Sequence, residues 1–214
     1  MTGVQTCALP IYADGTVKGV LNWNDLSAMS PQNPAAFTGT YTVDPTGRVT
    51  LSNLTDGASF NYSFHLYLAG SGGGLLVSND GNDEMAGEAI QQQPGASASS
   101  FSGAYGLGAN LYGVTSYGVP QFGYAIGKVT ATAADGTETV TGYADPANGG
   151  PDFAVSASFT AAPNGVFVGT VAGFNSADRA TAGNFTLYVV DDTRAVLIET
   201  DRTELLLGAF DRVQ

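Results

Sequence analysis

Apolar and polar residues alternate with a period of two along most of the chain. Phe64, Leu66 and Leu68 share one face of a predicted strand, while more polar residues occupy the positions between them. Residues 185–189 repeat this arrangement. No segment keeps apolar residues at the i, i+3, i+4, i+7 spacing of a helix for three turns. Because such alternation is typical of half-buried strands, the sequence predicts an all-β protein with almost no helix.

Short turn sequences separate these runs. Each combines Asp or Pro with Gly, and such residues accept the positive φ that tight hairpins require. Their spacing of roughly eight to twelve residues is typical of an antiparallel meander. The predicted turns are Asp14-Gly15, Pro45-Thr46-Gly47, Asp56-Gly57, Asp80-Gly81, Asp135-Gly136 and Pro163-Asn164-Gly165.

Two parts of the chain follow one pattern. The sequence Ala-Asp-Gly-Thr at 13–16 recurs 121 positions later, and the strand at 63–68 recurs at the same offset. The turn at 45–47 recurs 118 positions later, so an intervening loop differs in length between the copies. Because the matches occur in the same order, we interpret the chain as a tandem duplication.

The duplication divides the chain into four segments. After an N-terminal segment at 1–11, we expect a truncated repeat at 12–93, a flexible linker at 94–100 and a complete repeat at 101–214. About eight antiparallel strands can close an up-and-down β-barrel, which we expect for the complete repeat. The truncated repeat should form an open sheet of about six strands unless the linker or the barrel covers it. The predicted strands are 15–23, 36–44, 47–54, 59–69, 74–79 and 85–93 in the sheet, and 101–111, 118–132, 137–144, 153–162, 165–174, 182–190, 194–200 and 204–213 in the barrel.

The N-terminal segment, Met1 to Ile11, resembles the conceptual translation of a sequencing adapter over its whole length, MTGVQTCALPI. It has no basic region, no long apolar run and no small-residue cleavage site, so a signal peptide is the weaker interpretation. Cys7, the only cysteine, lies inside this segment. We therefore expect no disulfide, no thiolate nucleophile and no Cys-ligated metal in the repeats.

Charge and composition exclude several classes of partner. Seven Lys and Arg residues against 19 Asp and Glu residues leave a net charge of −12. Such an acidic chain repels phosphate backbones and anionic lipids, so we expect no nucleic-acid partner. No apolar run is long enough for a membrane-spanning helix, so we expect no membrane insertion.

The motifs of the repeat carry a family resemblance. Phe-Ser-Gly-x-Tyr at 101–105, the Ala-Asp-Gly turn, the strand at 37–44 and Leu-Ile-Glu-Thr-Asp at 197–201 resemble a tandem β-repeat of uncharacterised, secreted bacterial proteins. The resemblance covers nearly all of residues 12–214 and implies secretion or attachment to the cell surface. The eight-strand meander resembles avidin and lipocalin barrels more distantly, through topology alone. That second resemblance implies a ligand inside the barrel but carries over no ligand-binding residues.

Candidate catalytic residues are few. His65 is the only histidine, so a Ser-His-Asp relay would have to use it as the base, but no Gly-x-Ser-x-Gly elbow supplies a nucleophile. We therefore favour a surface or loosely packed histidine. Asp191 with Asp192, or Glu199 with Asp201, could form a glycosidase pair, although acidic residues at strand ends are usually solvated. We expect no catalytic residues.

Two loops have the composition of ligand sites. Residues 79–84 are rich in the oxygen-bearing side chains that calcium prefers, but their spacing is not that of an EF-hand, and we favour a solvated turn. The glycine-rich stretch 70–74 lacks the last glycine and the helix of a dinucleotide-binding loop. We expect no metal and no cofactor. Aromatic residues that could line a sugar or lipid surface, or equally form the barrel core, are Trp23, Tyr62, Tyr67, Tyr105, Tyr112, Tyr117 and Tyr124.

The sequence favours a non-catalytic, secreted or cell-surface β-repeat module with a structural or adhesive role. The alternative is a protein that binds a small apolar ligand inside a calycin-like barrel, and a hydrolase is a more distant possibility. The expected partner is a small apolar ligand or a surface glycan, although no ligand-binding residue is identified. An interior cavity would support ligand binding, whereas a filled interior would argue against it.

Overall fold

The chain forms an open, curled β-sheet followed by a closed β-barrel in a computed structural model. The structure describes residues 4–8, 13–24, 35–57, 61–69, 72–81, 85–97, 100–114, 120–147, 151–162, 166–174, 182–200 and 205–213. These residues include fifteen strands and no α-helix. The predicted all-β fold is confirmed.

The open sheet consists of seven strands in sequential order, and all neighbouring strands are antiparallel. A bulge at Asn53, whose φ is 53°, interrupts the register between Leu51 and Leu54 and bends the sheet. The strands are β1 (Val4–Ala8), β2 (Thr16–Asn24), β3 (Ala35–Val43), β4 (Arg48–Thr55), β5 (Asn61–Ala69), β6 (Gly73–Ser78) and β7 (Ala86–Ile90).

The barrel consists of eight antiparallel strands, and its last strand pairs with its first. Closure gives every strand two hydrogen-bonded neighbours, so the barrel has no free edge. The predicted eight-stranded meander is confirmed. The strands are β8 (Gly103–Val114), β9 (Pro120–Ala134), β10 (Thr137–Pro146), β11 (Phe153–Ala162), β12 (Val166–Ala172), β13 (Gly183–Val189), β14 (Arg194–Glu199) and β15 (Leu205–Arg212).

Turn residues have the backbone conformation that the sequence predicts for them. In the hairpin between β9 and β10, Asp135 and Gly136 have φ values of 50° and 77°. Both values are positive, as a type I′ turn requires. The predicted turn at 163–165 lies outside the described residues.

The open sheet has one strand more than the sequence predicts. This strand, β1, belongs to the segment that resembles an adapter, and it pairs with β2 from Val4 opposite Asn24 to Ala8 opposite Val20. An unpaired strand edge offers a row of hydrogen-bonding groups to any extended segment beside it. Pairing of this kind does not depend on the origin of a segment, so the adapter interpretation stays a prediction.

Four of the six strand pairs that the duplication relates begin at the offsets of the sequence matches. β2 and β10 begin 121 residues apart, and so do β6 and β14. β3 and β11 begin 118 residues apart, and so do β4 and β12. These are the offsets of the sequence matches, so they support the predicted duplication, which remains an interpretation together with its segment boundaries.

Candidate functional site

Apolar side chains pack inside the barrel. All eight strands contribute inward-facing residues to one buried cluster. Phe101, which precedes β8, joins this cluster, and the centroid of its ring lies 4.4 Å from that of Tyr105 and 5.4 Å from that of Phe210. The position of these residues at the start of β8 and the end of β15 closes one end of the barrel.

One carboxyl group is buried among these apolar residues. Glu138 is fully buried and shares the inner face of β10 with Val140. Its register partners are Ala133 on β9 and Phe159 on β11. Neither carboxyl oxygen has a hydrogen-bond partner of normal geometry. Burial raises the pKa of Glu138 to about 7, and the backbone of Thr132 offsets only part of the rise. The side chain is therefore protonated in mildly acidic solution and becomes charged inside the barrel as the pH rises.

The equivalent position of the open sheet is apolar. Val17 lies 121 residues before Glu138 and is fully buried in the core of the sheet. A valine at this position satisfies the same strand pattern without a carboxyl group. The carboxyl group of Glu138 thus has no counterpart in the open sheet, and it is one polar group in the lumen that could anchor a ligand. Glu199, which is also buried, has the inward parity of Ala195 and Leu197 on β14.

A polar cavity of about 550 Å³ lies outside the closed end of the barrel, between the linker and the hairpin that joins β13 to β14. The Arg212 guanidinium crosses this region and donates hydrogen bonds to the carbonyl oxygen of Asp192, at 3.1 Å, and to its carboxylate, at 3.4 Å. The cavity is lined by Gln93, Pro94, Gly95, Ala96, Ser100, Ser102, Asp191, Asp192 and Arg212.

The two carboxylates of this cavity have structural partners. Asp191 accepts hydrogen bonds from the amide and the hydroxyl of Thr193 and from the amide of Arg194. Burial opposes a low pKa for Asp191, but these hydrogen bonds together outweigh it and lower the pKa. Because Asp191 holds the turn and Asp192 pairs with Arg212, the pair has the partners of a hairpin rather than of a glycosidase site.

Part of the outer face of the barrel is buried where two strands of the open sheet pack against it: β1 lies against β14 and β15, and β2 contributes side chains beside it. Residues of β12, β13 and β14 that point away from the lumen form a separate apolar cluster, to which Val20 of β2, Ala162 of β11 and Leu207 of β15 contribute. Val166 lies opposite Tyr188, and Tyr188 lies opposite Val196, so these side chains form one row across the three strands. We call Val166, Tyr188, Val196 and Ile198 the acceptor face of the barrel.

Hydrogen bonds join the two units beside this apolar cluster. The Tyr188 hydroxyl donates to the side-chain oxygen of Asn22, and both residues are buried. We call Val20 and Asn22, which point outward from β2, the donor face of the sheet. After β7 the chain continues along β13, where the Gln92 side chain donates to the Val189 carbonyl at 2.7 Å and the Gln93 amide donates to the Val190 carbonyl at 2.8 Å.

The histidine and the acidic loop do not form an assembled site. His65 lies on the outer face of β5, with its Nδ1 atom 3.3 Å from the Thr50 hydroxyl. Asp80 accepts a hydrogen bond from the Ser63 amide and so belongs to the turn after β6. Residues 82–84 lie outside the described residues. The described part of the chain contains no group of three or more His, Cys, Asp and Glu side chains that could hold a metal ion.

The remaining candidates are dispersed over the structure. Glu199 is buried at the end of β14, whereas Asp201, its predicted partner, lies outside the described residues. The glycine-rich stretch contributes Gly73 and Gly74 to β6 and does not precede a helix. The aromatic residues do not form one surface. Tyr105 is in the barrel core, Tyr62 packs against the core of the sheet, Tyr67 and Tyr124 are exposed, and the side chains of Trp23, Tyr112 and Tyr117 lie outside the described part of the structure.

Two features were not predicted from the sequence. The first is the buried carboxyl group of Glu138. A signal for it was present, because Glu138 alternates with Thr137 and Thr139 and therefore shares the inner face of the strand with Val140. The contact between Asn22 and Tyr188 had no comparable signal, because the residues are far apart in the chain. A further carboxyl pair lies near the end of β10, where the protonated carboxyl of the exposed Asp145 donates a hydrogen bond to Asp152, and this bond together with the negative charge of Asp152 raises the pKa of Asp145.

No helix in the described part of the chain has the length and hydropathy needed to cross a bilayer. No protein-family model matches the sequence, and no curated protein matches it. Among solved structures, one that matches is described as a redesigned beta barrel, mFAP1, bound to DFHBI. The two chains are 12% identical, the match covers 55% of this chain and 99% of the other, and the TM-score is 0.43. We draw no conclusion from a match with this TM-score. The description of this chain as a β-barrel protein rests on its own strand pairing.

Proposed function

We propose that this chain is a non-catalytic structural module, secreted or attached to the cell surface, in which successive β-repeats pack side by side. The observation that supports this function is the buried contact between the donor face of the sheet and the acceptor face of the barrel. Tandem units joined only by a flexible linker would move independently, whereas units that share a buried contact keep a fixed spacing. A fixed spacing between units is what a structural or adhesive role requires.

The barrel interior supports the same proposal. Aromatic side chains from the strands and from Phe101 occupy the lumen, where calycin-like proteins hold their ligands. The reactive side chains that the sequence offers are dispersed, and the acidic pair at the β13–β14 hairpin holds a turn. The repeat motifs, with their resemblance to secreted bacterial β-repeats, agree with a location outside the cell.

The proposal requires the sheet and the barrel to unfold together. Trp23, the single tryptophan, belongs to β2, so its fluorescence reports on the sheet, while circular dichroism reports on all strands. In a urea titration we expect the two signals to follow one transition. Val20→Asp places a carboxylate in the apolar contact and should separate them, with the sheet unfolding first.

Val43→Asp is the matched control, because Val43 lies on the same sheet and is exposed. This variant should keep a single transition. Separate transitions in the unmodified chain would contradict a fixed contact between the units. Turnover of a glycan or ester panel that His65→Ala or Asp192→Asn abolishes would contradict the non-catalytic part of the proposal.

Ligand binding inside the barrel is the second candidate, and Glu138 is the observation that favours it. A buried carboxyl group whose oxygens have no hydrogen-bond partner of normal geometry is a feature that a polar group of a ligand would satisfy. Titration with the uncharged fluorescent probe N-phenyl-1-naphthylamine tests this candidate. Saturable binding of the probe that Glu138→Gln changes would support it, and the absence of saturable binding would remove it.

A further inference from the structure

The open sheet carries a counterpart of the acceptor face. At an offset of 121 residues, Tyr67 corresponds to Tyr188, Leu75 to Val196 and Val77 to Ile198. The strand register agrees, because Tyr67 lies opposite Leu75 as Tyr188 lies opposite Val196. In the barrel these side chains are covered by the sheet, whereas Tyr67, Leu75 and Val77 are 49%, 64% and 40% exposed.

The barrel carries a counterpart of the donor face. Asn22, which contacts Tyr188, corresponds to Tyr143 on β10 at the same offset. Tyr143 lies opposite Lys128 on β9, and Ile126, two residues earlier on that strand, points to the same side of the barrel wall. The exposed apolar residues of this region are Tyr124, Ile126 and Tyr143, which are 46%, 51% and 68% exposed.

Each unit therefore has both faces, and one of each is covered within the chain. The sheet uses its donor face on the barrel and leaves its acceptor face exposed, while the barrel uses its acceptor face and leaves its donor face exposed. Exposed apolar groups of this kind mark interaction sites on soluble proteins. The contact between the sheet and the barrel within one chain shows that a donor face fits an acceptor face.

We propose that the donor face of the barrel, centred on Tyr143, docks onto the acceptor face of the sheet, centred on Tyr67, in a second copy of this chain. The docking repeats between chains the contact that joins the sheet to the barrel within one chain. It uses two different surfaces, so each added copy again exposes one donor face and one acceptor face. The chains consequently assemble head to tail into open-ended rows, and repeats within a longer chain stack in the same way.

Polar substitutions make the contact between chains weaker than the contact within one chain. Arg48 takes the place of Val166, His65 takes the place of Thr186, and the exposed Thr141 takes the place of Val20. Tyr143 in the place of Asn22 brings a second aromatic ring towards Tyr67, a type of pair that packs favourably. This inference rests on the proposed structural function, since the docking between chains uses the same kind of contact as the packing of the sheet on the barrel.

Sedimentation velocity on the full chain tests the docking. Concentrations from about 1 μM to about 1 mM cover the range of weak interfaces. An ionic strength of about 0.15 M limits repulsion between the acidic chains to about 8 Å. We expect the weight-average sedimentation coefficient to rise continuously with concentration and to pass that of a dimer. Tyr143→Asp and Tyr67→Asp should each raise the apparent dissociation constant at least about tenfold, because a carboxylate loses water at the contact.

Mixing the two variants gives the decisive result. The Tyr143→Asp chain keeps its acceptor face and the Tyr67→Asp chain keeps its donor face, so an equimolar mixture should form a dimer that does not grow. Val43→Asp is the control, since its counterpart Ala161 remains exposed on the barrel, and it should assemble like the unmodified chain. Association of either variant alone with the affinity of the unmodified chain, or a mixture that associates no more tightly than the separate variants, would overturn the proposal.

Circular dichroism of each variant shows whether it is folded, and both substituted tyrosines are exposed, so folding should be unaffected. A failure of docking is distinguishable from a failure of the proposed function. If the chain stays monomeric while its sheet and barrel still unfold together, the docking proposal is wrong and the structural module stands. If the units unfold separately, the contact between the sheet and the barrel within one chain does not hold them together, and the proposed function fails as well.

Discussion

Ionisation of Glu138 should weaken the fold as the pH rises, because its carboxyl group is buried in the apolar interior of the barrel. The unfolded chain ionises this group near its ordinary pKa of 4.5, whereas the folded chain retains the proton until about pH 7. Between these values the unfolded state binds fewer protons than the folded state, so the free energy of unfolding falls with increasing pH. The contribution of the protonated group is fully present below about pH 4.5 and is lost by about pH 7 and above.

The size of this effect follows from the difference between the two pKa values. One pKa unit corresponds to about 1.36 kcal/mol, so a rise from 4.5 to about 7 corresponds to a loss of about 3 kcal/mol. Such a loss is a large fraction of the roughly 5–15 kcal/mol that stabilises most domains. Glu138→Gln has nearly the same shape and cannot ionise. Glu138→Val reproduces the residue found at the equivalent position of the sheet, Val17.

Urea denaturation at intervals between pH 4 and pH 8, monitored by circular dichroism, measures the free energy of unfolding of each chain. Relative to Glu138→Gln, the unmodified chain should lose about 3 kcal/mol between these limits. Other carboxylates titrate in both chains, so their effects cancel in the difference. Glu88→Gln, which removes an exposed carboxylate, controls for the loss of one negative charge. A difference that stays constant with pH would refute the placement of Glu138 in an apolar lumen.

Three further predictions concern the packing of the chain. Tyr188→Phe removes the hydrogen bond to Asn22 and should lower the stability of the contact between the units by about 1–2 kcal/mol. Tyr143→Phe, on the exposed face, should leave this stability unchanged. Urea titration followed by tryptophan fluorescence compares the two variants. Phe101→Ala opens the closed end of the barrel and should cost about 3–5 kcal/mol in free energy of unfolding, measured by urea denaturation; a loss below 1 kcal/mol would contradict its position in the core. Asp191→Ala removes three hydrogen bonds from the β13–β14 turn and should lower the melting temperature at pH 7, where the carboxylate is ionised. At a pH below the lowered pKa of Asp191 the substitution should lower the melting temperature much less. Thermal melts at both pH values measure the difference.

Much of the fold was predictable because strand signals are local. Alternation over 182–190 predicted β13 at Gly183–Val189, and alternation over 153–162 predicted β11 at Phe153–Ala162. Asp and Gly at 135–136 marked the hairpin between two barrel strands. Each of these signals depends on neighbouring residues alone, so no knowledge of distant contacts was needed.

The candidate sites were predictable only in part. The parity of Glu138 was visible in the sequence, but its burial depends on closure of the barrel around it. Tyr188 occupies an outward position that the alternation assigns to solvent, and it is buried because another unit of the chain covers it. The strand β1 was missed because pairing with an open edge places weak demands on side chains.

The sequence by itself determined the all-β class, the number of barrel strands and the side of each strand that faces inward, because these follow from period-two alternation and from turn residues. The tertiary structure alone decided which outward faces are buried, through the packing of Val20 and Asn22 against Tyr188 and Ile198. It also decided that the Glu138 carboxyl oxygens have no hydrogen-bond partner of normal geometry in the lumen. The physical reason is that burial and hydrogen bonding depend on groups that are distant in sequence, and chain closure and docking of the units bring those groups together.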